Sequence, residues 1–477
     1  MSCLPCQAQQ KEVEMAYQTV NPYTNKLVQS YPYASDAEID AAILKSHEAF
    51  LNWRTTGFAD RSKVMTRAAE ILRADKRSFA DVLTLEMGKI FAEAELEVEL
   101  CADIFDYFAE HGESFLKDKP LEVKGAKEGT VTIVFEPLGV IYCIEPWNFP
   151  YYQVVRVAAP QILAGNTVLL KHAKNVPAAA QAMQKLFNDA GLPDGVFTNL
   201  FISTASTEHV LADPLVRGVA LTGSERAGTS VGAAAGKNLK KVTMELGGSD
   251  AFIVLEDAEI DETVKWAVMG RHWNAGQVCC GSKRLIIVDA VYDEFMDKYR
   301  SAVAALRAGD PHDPQTQLAP LSTQSAVDML AEQVKMAIEN GATAETLGDP
   351  VPKQGAFFQP TILTDVKPDN PAYQAEFFGP VSLVFRVSDE DEAITVANAS
   401  IYGLGGSVFT RDVVRGERVA RRIETGMIFV NHPTMVRADI PFGGVKNSGF
   451  GTELTEFGIR EFVTNKVVGV VDIDAPF

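Results

Sequence analysis

Asn274-Ala275-Gly276-Gln277-Val278-Cys279-Cys280 sets two of the chain's six cysteines side by side, after a glycine and before the strand-like run 283–288. A thiol at the end of a flexible turn is open to a substrate, whereas one inside the strand is not. Cys279 is therefore a candidate nucleophile, set against the ordinary role of a buried cysteine as an inert small hydrophobe. A free thiol has a pKa of about 8.5, is mostly protonated at neutral pH, and needs an activating partner. Glu245, in Met244-Glu245-Leu246-Gly247-Gly248, ends a strand where two glycines admit another chain segment closely. Its carboxylate is a candidate general base, or else a plain surface charge. Asn148, in Glu145-Pro146-Trp147-Asn148-Phe149-Pro150, is held by two prolines and suits an oxyanion, although turn asparagines are common. Thr222-Gly223-Ser224 follows a strand and opens a helix, so its amides can cradle a phosphate. The Gly-x-Gly-x-x-Gly spacing of the usual dinucleotide fingerprint is absent. Lys171 and Lys174 end another strand, where both face a ligand at a sheet's carboxyl edge.

Strands alternating with helices must position these groups. Ser35-Asp36-Ala37-Glu38 is a capping box that opens a helix through about Trp53. A second helix starts near Asp60. A third, acidic one spans about 92–111, with Leu96, Leu100, Ile104 and Phe108 at helical spacing and its glutamates towards water. Strands are then expected at 131–135, 139–144, 167–170, 196–201 and 219–222, with helices between them. Beyond Gly248 the alternation restarts, with strands at 251–255, 285–288, 382–386 and 427–430. Helices are expected there near 260–273, 291–306, 325–340, 391–397 and 413–423. This is an α/β pattern of two doubly wound parallel sheets, which bind ligands at the carboxyl ends of their strands. The tail, 461–472, has strand character, and a terminal strand tends to pair with another domain or subunit.

A length of 477 residues exceeds one core and implies two or three domains. Hydrophobic content of 47% with 22% charged residues is that of a soluble globular protein. The net charge of -19 argues against nucleic acid or an anionic membrane as the main partner, but leaves anionic small molecules open. No apolar run approaches a membrane span, the N-terminus lacks signal-peptide features, and six cysteines make no disulfide framework. The expectation is a cytoplasmic protein. Cys3 and Cys6 have CxxC spacing without a second ligand pair nearby, so no metal site is expected there.

Six separated motifs in this order resemble the aldehyde dehydrogenase superfamily along essentially the whole chain. They are Pro146-Trp147-Asn148-Phe149-Pro150, Thr222-Gly223-Ser224, Glu245-Leu246-Gly247-Gly248, Gly276-Gln277-Val278-Cys279, Glu376-Phe377-Phe378-Gly379-Pro380 and Pro441-Phe442-Gly443-Gly444. Leu170-Lys171-His172-Ala173 and Asn431-His432-Pro433-Thr434 are most similar to bacterial succinate-semialdehyde dehydrogenases. The resemblance implies an NAD(P)-binding domain from 1–115 and 137–246 and a catalytic domain from 247–450. It adds a small β oligomerisation arm from 116–136 and 455–477, which gives a homodimer or homotetramer.

The same resemblance makes Cys279 the nucleophile, with the Asn148 amide and the Cys279 N–H holding the oxyanion. Glu245 then activates water, with a pKa raised by partial burial. It places Lys171 on the adenosine ribose, Glu376 on the nicotinamide ribose, and Ser224 with the Gly223 amide edge on the pyrophosphate. Trp147 and Phe378 line the cofactor cleft. NAD-preferring relatives often carry glutamate at the Lys174 position; a lysine attracts a 2′-phosphate, so NADP is expected in preference to NAD. Arg156, eight residues after Asn148, holds the distal carboxylate in the succinate-semialdehyde relatives, and its alternative is an ion pair with a protein carboxylate. Lactaldehyde dehydrogenases carry an arginine there too. Two departures stand out: Trp273 replaces a second arginine found in some relatives, and Val436 replaces a loop serine, leaving Arg271 or Arg437 as possible substitutes. The implied reaction is NAD(P)-dependent oxidation of an aldehyde to its carboxylate, with succinate semialdehyde first and lactaldehyde or broader aliphatic aldehydes as the alternative. Cys280 is either a packing neighbour or the partner in a reversible link protecting Cys279.

Overall fold

Two large sheets carry the chain in the computed structural model, which describes residues 17–122, 129–471 and 473. The first has the order Gly449–Phe450, Lys241–Glu245, Val216–Thr222, Val140–Glu145, Thr167–His172, Phe197–Asn199. All its neighbours are parallel except Gly449–Phe450, which runs antiparallel to Lys241–Glu245. Val140–Glu145 lies at the centre. The chain winds first to one side of it and later to the other, so the strand order reverses between Val140–Glu145 and Val216–Thr222. Such a reversal opens a crevice at the strands' carboxyl ends.

The second sheet has the order Thr343–Thr346, Thr361–Thr364, Val381–Val387, Arg284–Val288, Ala251–Val254, Gly406–Phe409, Phe429–Val430. It is parallel apart from the antiparallel edge strand Thr343–Thr346. A third, antiparallel sheet joins Lys119–Leu121, Thr130–Pro137 and Val463–Val470. The expected α/β class with two doubly wound sheets is therefore present, with one antiparallel edge strand on each. The tail strand pairs with Thr130–Pro137 along its full length.

Local chemistry explains several boundaries. Ser35 and Glu38 form the expected capping box: the Glu38 N–H donates to Ser35 Oγ at 3.3 Å, and the Ser35 N–H to Glu38 Oε2 at 2.8 Å. Pro150 opens the helix Pro150–Ala164, in which every side chain is buried. That helix lies between the first sheet and the helix Phe91–Phe115.

Two expectations need correction here. The helix Lys76–Met87, ending at the left-handed Gly88, was not anticipated. In Phe91–Phe115 the core face is Ala94, Val98, Cys101, Ala102 and Phe105 beside Ile104 and Phe108, while Leu96 is 63% exposed. The helix packs between Phe58–Ala74 and Pro150–Ala164, which rotates its buried face towards two of its glutamates. Among the described residues no helix is long and apolar enough to cross a membrane. Cys3 and Cys6 lie outside the described residues.

Candidate active site

Glu245, Thr222, Glu145 and His172 occupy neighbouring positions at the carboxyl edge of the first sheet, each the last residue of its strand. The chain leaves Glu145 through Pro146 and Trp147, reaches Asn148, and enters the helix Pro150–Ala164. Asn148 is buried, and its amide is fixed on both sides. Gln153 Nε2 donates to Asn148 Oδ1 at 3.2 Å, and Asn148 Nδ2 donates to the Gln277 carbonyl at 3.2 Å.

The Cys279 loop arrives from the second sheet. Asn274 and Ala275 have φ of 52° and 53°, a left-handed conformation that non-glycine residues adopt at a cost and that must be held by neighbours. Asn274 Nδ2 supplies that hold, donating to the Asn148 carbonyl at 2.9 Å and the Gln277 carbonyl at 3.2 Å. Lys283, buried behind the loop, donates to the carbonyls of Val278 and Cys279 at 2.6 Å each. Gly248 is required where it stands, since a Cβ there would lie 2.5 Å from the Cys279 carbonyl oxygen. The Cys279 N–H has no hydrogen-bond partner among the described residues.

The surroundings shift the Cys279 thiol and the Glu245 carboxyl in opposite directions. The neighbouring Cys280 thiol, with the Arg156 and Lys283 charges, outweighs burial and holds the Cys279 pKa below the usual thiol range. Burial pushes Glu245 well above the usual carboxylate range, and the Glu453 charge adds to that effect. Glu145 and Glu453 are raised for the same first reason, burial. Burial raises all three carboxyls around the single guanidinium of Arg156, and the Glu453 charge raises Glu145 and Glu245 further.

Arg156 differs from the expected substrate ligand. Its side chain is fully buried and ion-paired with Glu453, and it donates to Tyr152 Oη and Thr222 Oγ1 at 3.2 Å each. A narrow cavity reaches Cys279 between Leu100, Phe149, Tyr152, Gln153, Trp273, Val278, Cys280, Val436 and Phe442. Arg156 lies behind that wall, 5.0 Å from the Tyr152 ring centre and 4.4 Å from that of Phe442. Neither suggested substitute faces the cavity. Arg271 is buried and donates to the carbonyls of Gly276, Phe377 and Gly379, tying the Cys279 loop to the Glu376 loop. Arg437 pairs with Asp439 at 2.8 and 2.9 Å.

On the cofactor side, Lys171 is the penultimate residue of the strand Thr167–His172, and Lys174 lies two residues past its end. Lys171 is 9% exposed and has no ion-pair partner among the described residues; burial, with Lys174 nearby, brings its pKa down to about 8. A buried ammonium left without a carboxylate at the crevice fits a ligand rich in hydroxyl and phosphate oxygens. Lys174 is exposed, its ammonium 5.1 Å from the Tyr33 ring centre. Ser224 caps the helix Glu225–Lys237 by accepting from the Ala227 N–H at 3.4 Å, and the Gly223 N–H donates to the Glu245 carbonyl. Trp147 and Phe378 meet edge to face at 5.6 Å across the cleft. Glu376 accepts from the Gly248 N–H at 3.0 Å and pairs with Lys283 at 3.3 Å.

A sequence profile of the aldehyde dehydrogenase family matches residues 8–468. The chain belongs to the aldehyde dehydrogenase family. It is 50% identical over 455 residues to the succinate-semialdehyde dehydrogenase [NADP(+)] of Deinococcus radiodurans, covering 95% of each chain. It is 43% identical over 456 residues to succinate-semialdehyde dehydrogenase [NADP(+)] 1 of Mycobacterium tuberculosis, covering 96% of this chain and all of that one. The crystal structure of the Streptococcus pyogenes succinic semialdehyde dehydrogenase in complex with NADP+ superposes with a TM-score of 0.93 at 43% identity, covering 96% of this chain and 100% of that chain.

The motifs of this aldehyde dehydrogenase did not reveal Glu145, Lys283, Asn274 or Glu453. Glu145 and Asn274 sit inside quoted motifs, but nothing in their type distinguishes them from turn residues. Lys283 reads as a charge at a strand's start, and Glu453 lies near the end of the chain. Only the fold brings Glu453 to Arg156, 297 positions away in the sequence.

Proposed function

We propose that this aldehyde dehydrogenase oxidises succinate semialdehyde to succinate with NADP as the preferred cofactor. The single observation that carries the chemistry is that the segment leaving Glu245 packs on the Cys279 loop, a Cβ at Gly248 lying 2.5 Å from the Cys279 carbonyl oxygen, so a buried carboxyl and a thiol are brought to one site. The Cys279 thiolate attacks the aldehyde carbonyl. Asn148 Nδ2 exchanges its Gln277 carbonyl for the developing oxyanion, which the Cys279 N–H also meets. When bound there, NADP would accept the hydride that the thiohemiacetal carbon gives up, leaving a thioester on Cys279. Glu245, once ionised, draws a proton from water, which hydrolyses the thioester. Trp147, Phe378, Lys171, Ser224, Gly223 and Glu376 would hold the cofactor along the crevice, and Lys174 would meet a 2′-phosphate. The proposed cofactor domain comprises 1–115 and 137–246, the catalytic domain 247–450, and the arm 116–136 with 455–477.

The substrate follows the names of the relatives. The apolar wall around Cys279, with Arg156 turned to Glu453, favours a second reading in which longer aliphatic aldehydes are also accepted. The test is kcat/KM for succinate semialdehyde, lactaldehyde and hexanal, each with NADP and NAD. A preference for succinate semialdehyde with NADP is the expected result; equal or better turnover of hexanal would replace the first reading by the second. Val467, Val468, Val470 and Val471 are exposed on the tail strand and beyond it. Such an apolar edge suits pairing between copies of this chain, as a homodimer or homotetramer.

A further inference from the structure

The acidic helix Phe91–Phe115 turns two glutamates inward, one turn apart, and each grips a different half of the site. Glu97 is 3% exposed. Its Oε1 accepts the Tyr151 N–H at 2.9 Å and the Tyr152 N–H at 3.2 Å. These are the unpaired first amides of the helix Pro150–Ala164, where the helix dipole favours an anion. Its other oxygen pairs with the fully buried Lys89, whose ammonium lies 3.8 Å from the centre of the Phe149 ring. The helix start that follows the Asn148-Phe149 turn and the ammonium against the Phe149 ring are thus anchored to one carboxylate. Glu93 accepts the Asn274 N–H at 3.3 and 3.2 Å. Asn274 is the left-handed residue whose side chain bridges the carbonyls of Asn148 and Gln277.

We infer that Glu97, with Lys89, and Glu93 are positioning residues that set the distance between the two oxyanion donors, Asn148 Nδ2 and the Cys279 N–H. The inference rests on the proposed oxyanion role of Asn148. Neither carboxylate touches substrate. Glu97 fixes the backbone on the Asn148 side, and Glu93 fixes the backbone on the Cys279 side. A shared rigid helix converts two independent loops into one frame. Oxyanion stabilisation depends on donors held at about 2.7–3.1 Å from the charge that develops, so a loosened frame costs rate more than binding. A plain structural pair would instead lower stability and all functions together.

The variants are Glu93→Ala, and Glu97→Gln combined with Lys89→Met, which keeps side-chain size and leaves no buried charge unpaired. Each is made alone and in an Asn148→Ala background. Three quantities are read: the single-turnover NADPH burst, the NADP Kd, and the rate of Cys279 alkylation by iodoacetamide, which needs the thiolate but no oxyanion donors. The expected burst rate falls roughly tenfold or more for each variant, while alkylation and the NADP Kd stay within about twofold. In the Asn148→Ala background the Glu97→Gln/Lys89→Met pair, which is the diagnostic variant there, slows the burst by less than about twofold further, since it acts through the group already removed, whereas Glu93→Ala still disturbs the Cys279 side. Multiplicative losses from that pair in that background, or alkylation falling in step with the burst, overturn the inference. If Asn148→Ala alone keeps the wild-type burst, the oxyanion role of Asn148 fails and the frame with it. If Asn148→Ala slows the burst but the helix variants do not, only the frame fails.

Discussion

Replacing Glu245 with glutamine separates the two halves of the reaction. Both carboxylate oxygens of Glu245 lack a hydrogen-bond partner among the described residues, and the side chain is 2% exposed. A glutamine of the same shape therefore forfeits no bond, and burial already favours the neutral acid. The expected Tm is unchanged or higher. Thiol attack and oxidation do not use Glu245, so the burst of one NADPH per site persists at close to the wild-type rate. Deacylation loses its base, and steady-state turnover falls by about 10²–10⁴-fold.

The pH dependence carries the sign of the raised pKa. Below its folded pKa only the ionised fraction of Glu245 is active, so wild-type turnover climbs with pH about tenfold per unit, while the glutamine variant stays flat. Stability moves the other way. An acid whose folded pKa lies above its unfolded value stabilises the fold fully below the unfolded pKa, and that contribution is lost as pH rises through the folded one. The stability advantage of Glu245→Gln should therefore grow with pH. Stopped-flow NADPH absorbance reads the burst and the steady state in one trace. A variant that turns over within about threefold of wild type, or that loses its burst, refutes the assignment of Glu245 to deacylation.

Other outcomes follow from neighbouring groups. Arg156→Met leaves Glu453 buried without its partner and should cost about 3–5 kcal/mol in unfolding experiments. The kcat/KM ratio of succinate semialdehyde to hexanal should meanwhile hold within about threefold, because the cavity wall of Tyr152 and Phe442 stands between; a selective collapse for the anionic aldehyde would restore Arg156 as its ligand. Lys174→Glu replaces a charge-assisted contact to the 2′-phosphate by repulsion, so kcat/KM with NADP should drop by roughly tenfold to a hundredfold relative to NAD. An unchanged cofactor ratio removes Lys174 from the selectivity argument. Cys280→Ala removes the thiol that holds Cys279 down, and the midpoint of its alkylation-versus-pH curve should move upward; a midpoint that stays put denies the contact any influence. Charging the tail strand with Val467→Glu and Val470→Lys should reduce the mass measured by light scattering to that of one chain if this edge joins copies.

The linear pattern determined whatever depends on neighbours in sequence. Strand–helix alternation announced two wound sheets, Ser35 and Glu38 announced their capping box, and a cysteine after Gly276-Gln277-Val278 stood out on a turn before a strand. Those signals are local because hydrogen-bond ladders, caps and turns are formed by residues a few positions apart. The same logic misread the helix Phe91–Phe115. Its glutamates looked solvated because periodicity reports amphipathicity but not what packs against the polar side, and here the amides of Tyr151, Tyr152 and Asn274 take that place. Arg156 shows the limit most plainly. A sequence reveals that a guanidinium sits eight residues past Asn148, yet its partner, Glu453, comes from a segment near the chain's end. Desolvation and partner charges set the Glu245 and Cys279 pKa values, and both arise only when distant strands close around one another. Residue type proposed the chemistry; tertiary packing decided which charges are buried, which are paired, and which loop holds each donor.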